Sequence, residues 1–254
     1  EELLAELKRE GSDWLLGRFS EEQVFSALSD YGVWKALADH GYPHPVVQIR
    51  SIDAFRQRLK ILPYAGAPET EDSVLCELRV FDAWLKGPCP FNDKTFEVDA
   101  LVIDWLVFQN PKGTFGQERP RLPGQKYPGL GIMRTAMHAI LDMARQIGKQ
   151  AVVNIPEYYH NAVLYSPSFK FFSPYVEGRF QALQEFLAKY SLAEASDLVT
   201  SSKIINLTKN EPFVWKPHEQ ILGLTQEIQD YFQLQGYLDE VARAKSESRF
   251  AIAG

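Results

Sequence analysis

The sequence feature that most restricts the fold is an apolar run at residues 96–108. Runs that are nearly continuous in apolar character usually form strands in the middle of a sheet, covered on both faces. A second strand is predicted at residues 74–84, where β-branched and aromatic residues are frequent. We expect these two strands to pair as antiparallel neighbours, so the chain should contain a sheet with a buried central strand.

A glycine-containing loop connects the apolar run to a long amphipathic helix. The apolar stripe of this helix extends from Leu130 to Ile147, and a short buried strand follows at residues 151–155. Strand, loop, helix and strand form a βαβ-type unit. The strands at 98–108 and 151–155 are therefore expected to be parallel and adjacent.

The loop itself has the features of a phosphate-binding segment. Its glycines, Gly124, Gly129 and Gly131, precede a helix start, where free backbone N–H groups and the helix dipole favour an anion. No Gly-Lys-Ser/Thr ending follows, which argues against a nucleoside triphosphate. The alternative is a tight strand-to-helix turn without a ligand. The residues expected to line the site are Gln125, Lys126, Tyr127, Gly129, Leu130, Gly131, Ile132, Met133 and Arg134.

The segments that flank this unit are expected to be mainly helical. Ser20-Glu-Glu-Gln is a capping box that begins a helix, and a short strand is expected at 46–52. Further helical segments are predicted at 1–40, 53–60, 156–165, 177–190 and 219–244, and further strands at 169–172, 203–207 and 213–215. Residues 246–249 are expected to fray. The predicted organisation is a helical part at 1–66, a core at 67–210 and a helical extension at 211–254.

The composition limits the partners and the compartment. A net charge of −6 argues against a general nucleic-acid or anionic membrane surface. Cys76 and Cys89 are too few for a disulfide framework or a metal-ligand cluster, so we expect a cytoplasmic protein without a metal. No apolar run approaches the ~20 residues of a membrane span, and we recognise no signal peptide.

Residues 96–172 resemble the core of the GNAT (Gcn5-related N-acetyltransferase) superfamily. Lys126-Tyr-Pro-Gly129-Leu-Gly131 is similar to the family's Gln/Arg-x-x-Gly-x-Gly/Ala, with Lys in the leading place. Gln125, shifted by one residue, is an alternative leading residue. A poorly characterised bacterial group is also similar, in Arg119-Pro-Arg-Leu-Pro-Gly-Gln and in the Tyr-His-Asn segment at 159–161.

A second segment, Asn161-Ala-Val-Leu-Tyr165-Ser-Pro-Ser-Phe169, is similar to the family's Asn-x-x-Ala-x-x-Leu-Tyr-x-x-x-Gly-Phe. The interval from Asn161 to Tyr165 is shorter than in the family, and Pro167-Ser168 replaces the glycine. By resemblance, Tyr165 would be the general acid towards the CoA thiolate. An aromatic core residue is the alternative.

The resemblance implies an α/β (α+β), GNAT-like acyl-CoA N-acyltransferase fold. Helices would flank a mixed, mostly antiparallel sheet, with extra N- and C-terminal helices. The reaction would be direct transfer from acetyl-CoA, or another acyl-CoA, to a primary amine of a small molecule or peptide. The loop amides would bind the pyrophosphate, and backbone amides near residues 105–109 would polarise the thioester carbonyl.

Three residues are candidates for the general base that such a reaction needs. Glu157 and His160 follow the strand at 151–155, near the strand ends where open sheets bind ligands. Asp104 is expected to be buried in its strand, which would raise its pKa. His160 as a residue that only orients its neighbours is the alternative.

Two other functions stay open at this point. The first is a catalytically inactive GNAT-like protein that binds CoA or a nucleotide, or that acts in protein interactions. The second is acyl transfer from aminoacyl-tRNA, which the acidic net charge disfavours. Neither a nucleic acid nor a membrane is expected as a partner, and a homodimer is left open.

Overall fold

The computed structural model describes residues 14–88 and 95–253. The predicted helical segment before residue 14 and Cys89 lie outside the described residues. The helices are α1 (Glu21–Asp30), α2 (Val33–Asp39), α3 (Met133–Gln146), α4 (Tyr159–Tyr165), α5 (Pro174–Leu187), α6 (Leu192–Thr200), α7 (Gln226–Tyr231) and α8 (Gln235–Glu247). The longest of these have 14 residues, and none combines the length and the apolar character needed to cross a membrane.

The strands of the described residues form three sheets. The largest has the order β3-β4-β5-β6-β7-β11-β8, and the smaller ones have the orders β1-β2 and β10-β9-β12. The strands are β1 (Trp14–Leu15), β2 (Phe19–Ser20), β3 (Val46–Ser51), β4 (Arg56–Leu62), β5 (Cys76–Pro88), β6 (Thr95–Phe108), β7 (Ala151–Asn154), β8 (Lys170–Phe171), β9 (Ile204–Asn206), β10 (Glu211–Pro212), β11 (Gln220–Gly223) and β12 (Phe250–Ile252).

Most pairings in the large sheet are antiparallel. This holds for β3 with β4, β4 with β5, β7 with β11, and β11 with β8. Strands β5 and β6 are neighbours joined by too few residues for a parallel crossover. Contacts at both ends of the pair agree with an antiparallel arrangement. The Gln109 amide donates to Leu75 O at one end, and Lys86 pairs with Glu97 at the other. The mostly antiparallel sheet flanked by helices confirms the general α/β (α+β) class.

The predicted adjacency of the strands on either side of α3 is also confirmed, because β6 and β7 are neighbours. The Gln150 amide donates to Asp99 O over 2.8 Å, and the Asp99 amide donates to Gln150 Oε1 over 2.9 Å. These bonds align the beginning of β7 with Asp99 of β6. The parallel direction of the two strands stays a prediction.

The chain divides into two compact units that differ from the three predicted segments. Unit 1 contains Glu1–Ala83, Leu101–Thr114 and Tyr127–Lys149. Unit 2 contains Trp84–Ala100, Phe115–Lys126 and Gln150–Gly254. Strands β5 and β6 contribute residues to each unit.

The described part of unit 1 begins with a short hairpin rather than a helix. Residues 14–20 form β1 and β2, so the helical prediction for 1–40 is wrong there. The capping box is confirmed: Ser20 Oγ accepts the Gln23 amide, and Gln23 Oε1 accepts the Ser20 amide. Strands β1–β4 also show that the described part of residues 1–66 is not purely helical.

The helical turn predicted at residues 53–60 is wrong, because β4 occupies most of this segment. Asp53 Oδ1 accepts the amide of Arg56 over 2.8 Å and closes a tight turn between β3 and β4. Leu59 and Ile61 are buried, while the backbone pairs with a strand on either side. Local polarity favoured a helix, but strand pairing and burial override it.

Unit 2 has a mixed C-terminal part instead of the predicted helical extension at 211–254. Residues 220–223 form β11, between β7 and β8, so the helix predicted at 219–244 is wrong at its start. Strand β12 pairs with β9, which contradicts the predicted fraying just before it. The strand predicted at 213–215 is displaced to β10, and α6 was not predicted.

Helices α5 and α8 approach each other closely at Gly178. A Cβ atom at this position would lie 2.3 Å from Val241 O and 2.9 Å from Ala244 Cβ. Only glycine therefore fits in α5 at this contact.

We expect Ser20→Ala to destabilise the fold by about 1 kcal/mol, because the start of α1 loses the side chain that caps it. Urea denaturation should show this as a lower midpoint at an unchanged m-value. Ser26→Ala, at an exposed position inside α1, is the matched control and should leave the midpoint nearly unchanged. An equal effect of both substitutions would contradict the capping role.

Candidate functional site

The candidate anion site in unit 1 is the glycine loop, defined as residues 127–132, together with the start of α3. A short hydrogen-bond chain holds the loop at Pro128. Its carbonyl oxygen accepts the Asn110 amide over 2.8 Å. Asn110 Oδ1 in turn accepts the hydroxyl of Tyr42 over 2.8 Å. The loop is therefore fixed to the turn that follows α2.

Two more hydrogen bonds hold the glycine loop, one at Tyr127 and one at Leu130. The Tyr127 hydroxyl donates to Asp72 Oδ1 over 2.7 Å, and His40 Nε2 lies 3.0 Å from Leu130 O. Leu130 and Ile132 are buried, with 2% and 4% of their surfaces exposed. A loop that is anchored by its side chains and carbonyls has its amide groups in fixed places, which favours binding of a rigid anionic group.

The two glycines of the loop have different roles. Gly131 is exposed and has φ +74°, a left-handed conformation that favours glycine. Gly129 does not have a positive φ, and a Cβ there would lie 3.7 Å from Phe108 O, an ordinary contact. The backbone conformation therefore explains Gly131, whereas neither conformation nor packing within the protein requires glycine at position 129.

The start of α3 lacks the groups that usually satisfy a helix N-terminus. Its N-cap, Ile132, provides no side-chain hydrogen bond, and the first turn has no acidic residue. Ala136 is the first residue whose amide finds a backbone acceptor, at Ile132 O; within the described chain the amides of residues 129–135 have none. Arg134 is exposed in this first turn. These amides and this guanidinium could hold a phosphate group.

Gln125 belongs to a separate turn in unit 2. Its amide donates to Leu122 O and its Oε1 accepts the Leu122 amide, each over 3.1 Å. Pro123 followed by Gly124, with φ +76°, is the pattern of a type II turn. The Gln125 side chain is thus used to close the turn. Lys126 is exposed and belongs to the same unit.

The turn packs against the residue that precedes α4. A Cβ at Gly124 would lie 2.7 Å from the ring of Tyr158, so the ring covers the glycine. The ring of Tyr158 also stacks with His160, with ring centroids 5.4 Å apart and an angle of 17°. The predicted base His160 therefore lies beneath an aromatic ring.

Of the three candidate bases, His160 is the most buried. Only 4% of its surface is exposed, and its Nδ1 has no hydrogen-bond partner among the described residues. Burial lowers the pKa of the imidazole to about 4. His160 is therefore neutral at pH 7 and a weak base. Glu157, in contrast, is exposed in the segment between β7 and α4.

The environment of Asp104 differs from the buried one that the sequence predicts. Asp104 is exposed on β6, with 38% of its side chain accessible, and its carboxylate lies 3.9 Å from a guanidinium nitrogen of Arg56. The expected burial is wrong, because β6 exposes both Asp104 and Trp105 to solvent at this point.

Tyr165 is the last residue of α4. Its ring meets that of Phe169 edge to face, with centroids 5.4 Å apart, and burial raises the pKa of the phenol to about 12. The hydroxyl is therefore protonated at pH 7. This environment suits a hydrogen-bond donor as well as an aromatic core residue.

The backbone amides near residues 105–109 are partly engaged. The amide of Gln109 donates to Leu75 O, which places it on the side of β5. Amides alternate in direction along a strand. Those of Leu106 and Phe108 therefore point away from β5, and they are the ones that could polarise a carbonyl.

The predicted residues divide between the two units. Tyr127, Gly129–Arg134 and Asp104 belong to unit 1, where the loop and the start of α3 are brought together. Gln125, Lys126, Glu157, His160 and Tyr165 belong to unit 2.

Sequence reasoning missed several residues with notable environments. Tyr42 and Asn110 hold the glycine loop, and no local pattern signals contacts across so many residues. Asn154 and Gln220 are buried polar residues, with 3% and 0% of their surfaces exposed. A polar residue at the end of an apolar strand was a usable signal for Asn154.

The described residues contain no group of three or more His, Cys, Asp or Glu residues that could hold a metal ion. A comparison with protein-family models finds no match for this sequence. A comparison with curated proteins likewise finds no significant similarity.

We expect Gly124→Ala to destabilise the protein more than an ordinary left-handed glycine does, because the new Cβ also meets the Tyr158 ring. Gly66→Ala is the matched control: Gly66 has φ +80° and nothing within 4 Å of a new Cβ. Thermal denaturation should show a loss of about 1 kcal/mol for Gly66→Ala and about 2 kcal/mol more for Gly124→Ala. Equal losses would refute the packing contact.

The buried imidazole should make stability depend on pH. The pKa of His160 is lowered from 6.5 to about 4 in the folded state, so the unfolded chain binds the extra proton between these values. Stability from this residue is complete above pH 6.5 and is lost as the pH falls towards 4. His160→Gln should show a smaller slope than the wild type in urea midpoints over this range. The exposed His138→Gln should keep the wild-type slope, and a wild-type slope in both variants would contradict the assignment.

Proposed function

We propose that the chain is an acyl-CoA-dependent N-acyltransferase with a GNAT-like fold. The observation that carries the proposal is the start of α3: a glycine loop, no capping side chain, no acid in the first turn, and amides at residues 129–135 that have no backbone acceptor among the described residues. Such a helix start binds phosphate oxygens through N–H groups and the dipole. The pyrophosphate of acetyl-CoA or another acyl-CoA is the anion proposed for it.

The chemistry would be direct attack of a neutral primary amine on the thioester carbonyl. A C–N bond forms, the C–S bond breaks, and the amine loses one proton to a base. The acceptor is proposed to be a small molecule or a peptide. The amides of Leu106 and Phe108 are proposed to stabilise the oxyanion, because they point away from β5 and cost no reorganisation.

Tyr165 is proposed to act on the leaving thiolate. With a pKa of about 12, its phenol keeps its proton at pH 7, whereas an ordinary thiol has a pKa near ~8.5. The phenol therefore stabilises the sulfur mainly by donating a hydrogen bond. Among the bases, His160 is weakened by burial and Asp104 faces Arg56, so Glu157 is the favoured candidate.

One observation favours a second function, a catalytically inactive protein that binds CoA or a nucleotide. His160 and Tyr165 both have environments that suit structural roles: burial weakens the base and keeps the phenol in an aromatic contact. In this alternative the glycine loop still binds a diphosphate, but no acyl group is transferred. Binding and turnover must therefore be measured separately.

Gly129→Glu should lower the affinity for CoA and acetyl-CoA at least about 10-fold, since a carboxylate at the helix start repels the phosphates. Isothermal titration calorimetry measures this directly. Gly116→Glu is the matched control, because Gly116 is exposed in a loop with nothing within 4 Å of a new Cβ. It adds the same charge and should leave the affinity unchanged.

Absence of acetyl-CoA binding by the wild type would refute the transferase, and absence of binding to CoA and to nucleotides as well would refute the second function. Binding with no thiol release across a panel of primary amines would favour the inactive alternative. If turnover is present, Tyr165→Phe should lower kcat while the CoA affinity stays at the wild-type value.

A further inference from the structure

A row of buried side chains crosses the sheet of unit 2 on one face. Asn154 of β7 lies opposite Gln220 of β11, and Gln220 lies opposite Phe171 of β8. Directly opposed residues in antiparallel strands place their side chains next to each other on the same face. The exposed fractions of these three residues are 3%, 0% and 0%. Two amide side chains are therefore buried beside an aromatic ring.

These amides lack most of their hydrogen bonds. Asn154 Nδ2, Asn154 Oδ1 and Gln220 Oε1 are buried without a partner among the described residues. The remaining amide nitrogen, Gln220 Nε2, donates to Ala162 O of α4 over 3.3 Å. This bond brings the row against α4, and His160 Nδ1 of the same helix is a fourth buried atom without a partner.

The surroundings make these missing bonds costly. The ring of Phe171 contacts Phe180 edge to face, with centroids 5.1 Å apart, and Tyr159 and Ala162 belong to the same apolar cluster. Buried polar atoms in native proteins are almost always hydrogen-bonded to protein or to a bound molecule. Several unpartnered atoms at one place therefore indicate a missing partner.

The chemistry of the side chains selects the kind of partner. Asn154 offers the two N–H donors of Nδ2 and the acceptor Oδ1, and Gln220 Oε1 accepts only. Burial keeps the imidazole of His160 neutral at pH 7. Since none of the three side chains carries a charge, an ion would be buried without a counter-charge, which is unfavourable. An uncharged molecule that both donates and accepts hydrogen bonds fits this set.

We propose that Asn154 and Gln220 bind a small uncharged hydrogen-bonding molecule inside unit 2. The shared chemistry is a hydroxyl or amide group, and its source is either solvent water or a small organic ligand. Water commonly fills such places when several polar groups converge. The site does not depend on acyl transfer, so failure of the proposed function leaves it unaffected.

A high-resolution crystal structure of the wild-type chain tests the site directly. We expect density for a bound molecule within hydrogen-bonding distance of the Asn154 amide and Gln220 Oε1. Native mass spectrometry separates the two sources: a co-purified organic ligand adds mass under native conditions and not after denaturation, whereas water adds none. Either source supports the proposal.

Two variants make the test specific. Asn154→Leu should remove the bound molecule, and Asn154→Ser serves the same purpose if the leucine variant does not fold. Asn206→Leu is the matched control, because Asn206 is buried but its Oδ1 already accepts the Thr208 amide over 3.1 Å. It should retain the molecule. The proposal is overturned if Asn154 and Gln220 bond directly to each other in the wild type, or if their site is empty.

Discussion

Backbone hydrogen bonding along β6 is the constraint on which the remaining elements depend. Residues 100–103 are all buried, so this strand is covered on both faces. Near its beginning, Asp99 is bonded to Gln150 beside β7, and just after its end Gln109 is bonded to Leu75 beside β5. These bonds fix the register of β6 at both ends, and Asn110, which follows the strand, holds the glycine loop at Pro128.

The candidate anion site follows from this fixed strand end. The loop between Pro128 and Ile132 is held by its carbonyl oxygens, at Pro128 and Leu130. The amide groups of residues 129–132 have no backbone acceptor within the part of the chain that the structure describes. In this loop the described protein uses the backbone acceptors and not the backbone donors. A helix start capped by Ser or Asp differs, because the capping side chain accepts hydrogen bonds from the backbone donors. The asymmetry, rather than the number of glycines, is what distinguishes the loop from a simple turn.

Features with strong local signals could be predicted from the sequence. The apolar run of β6, the stripe of α3 and the capping box at Ser20 are of this kind. The predictions from sequence were wrong where pairing with residues distant in the chain decides the structure. Residues 56–62 and 220–223 become strands because each pairs with neighbours on both sides. Asp104 was expected inside because its neighbours are apolar, and only the sheet determines which residues of a long strand meet solvent.

The contact at Gly178 has a consequence for tracing the ancestry of this chain. Because Val241 O occupies the space of a side chain at position 178, the α5–α8 pair can vary at most surface positions but not at this one. A relative that preserves the pair at the same separation must preserve a residue without a Cβ there. A glycine at this position would therefore still indicate common ancestry in a relative whose glycine loop had changed.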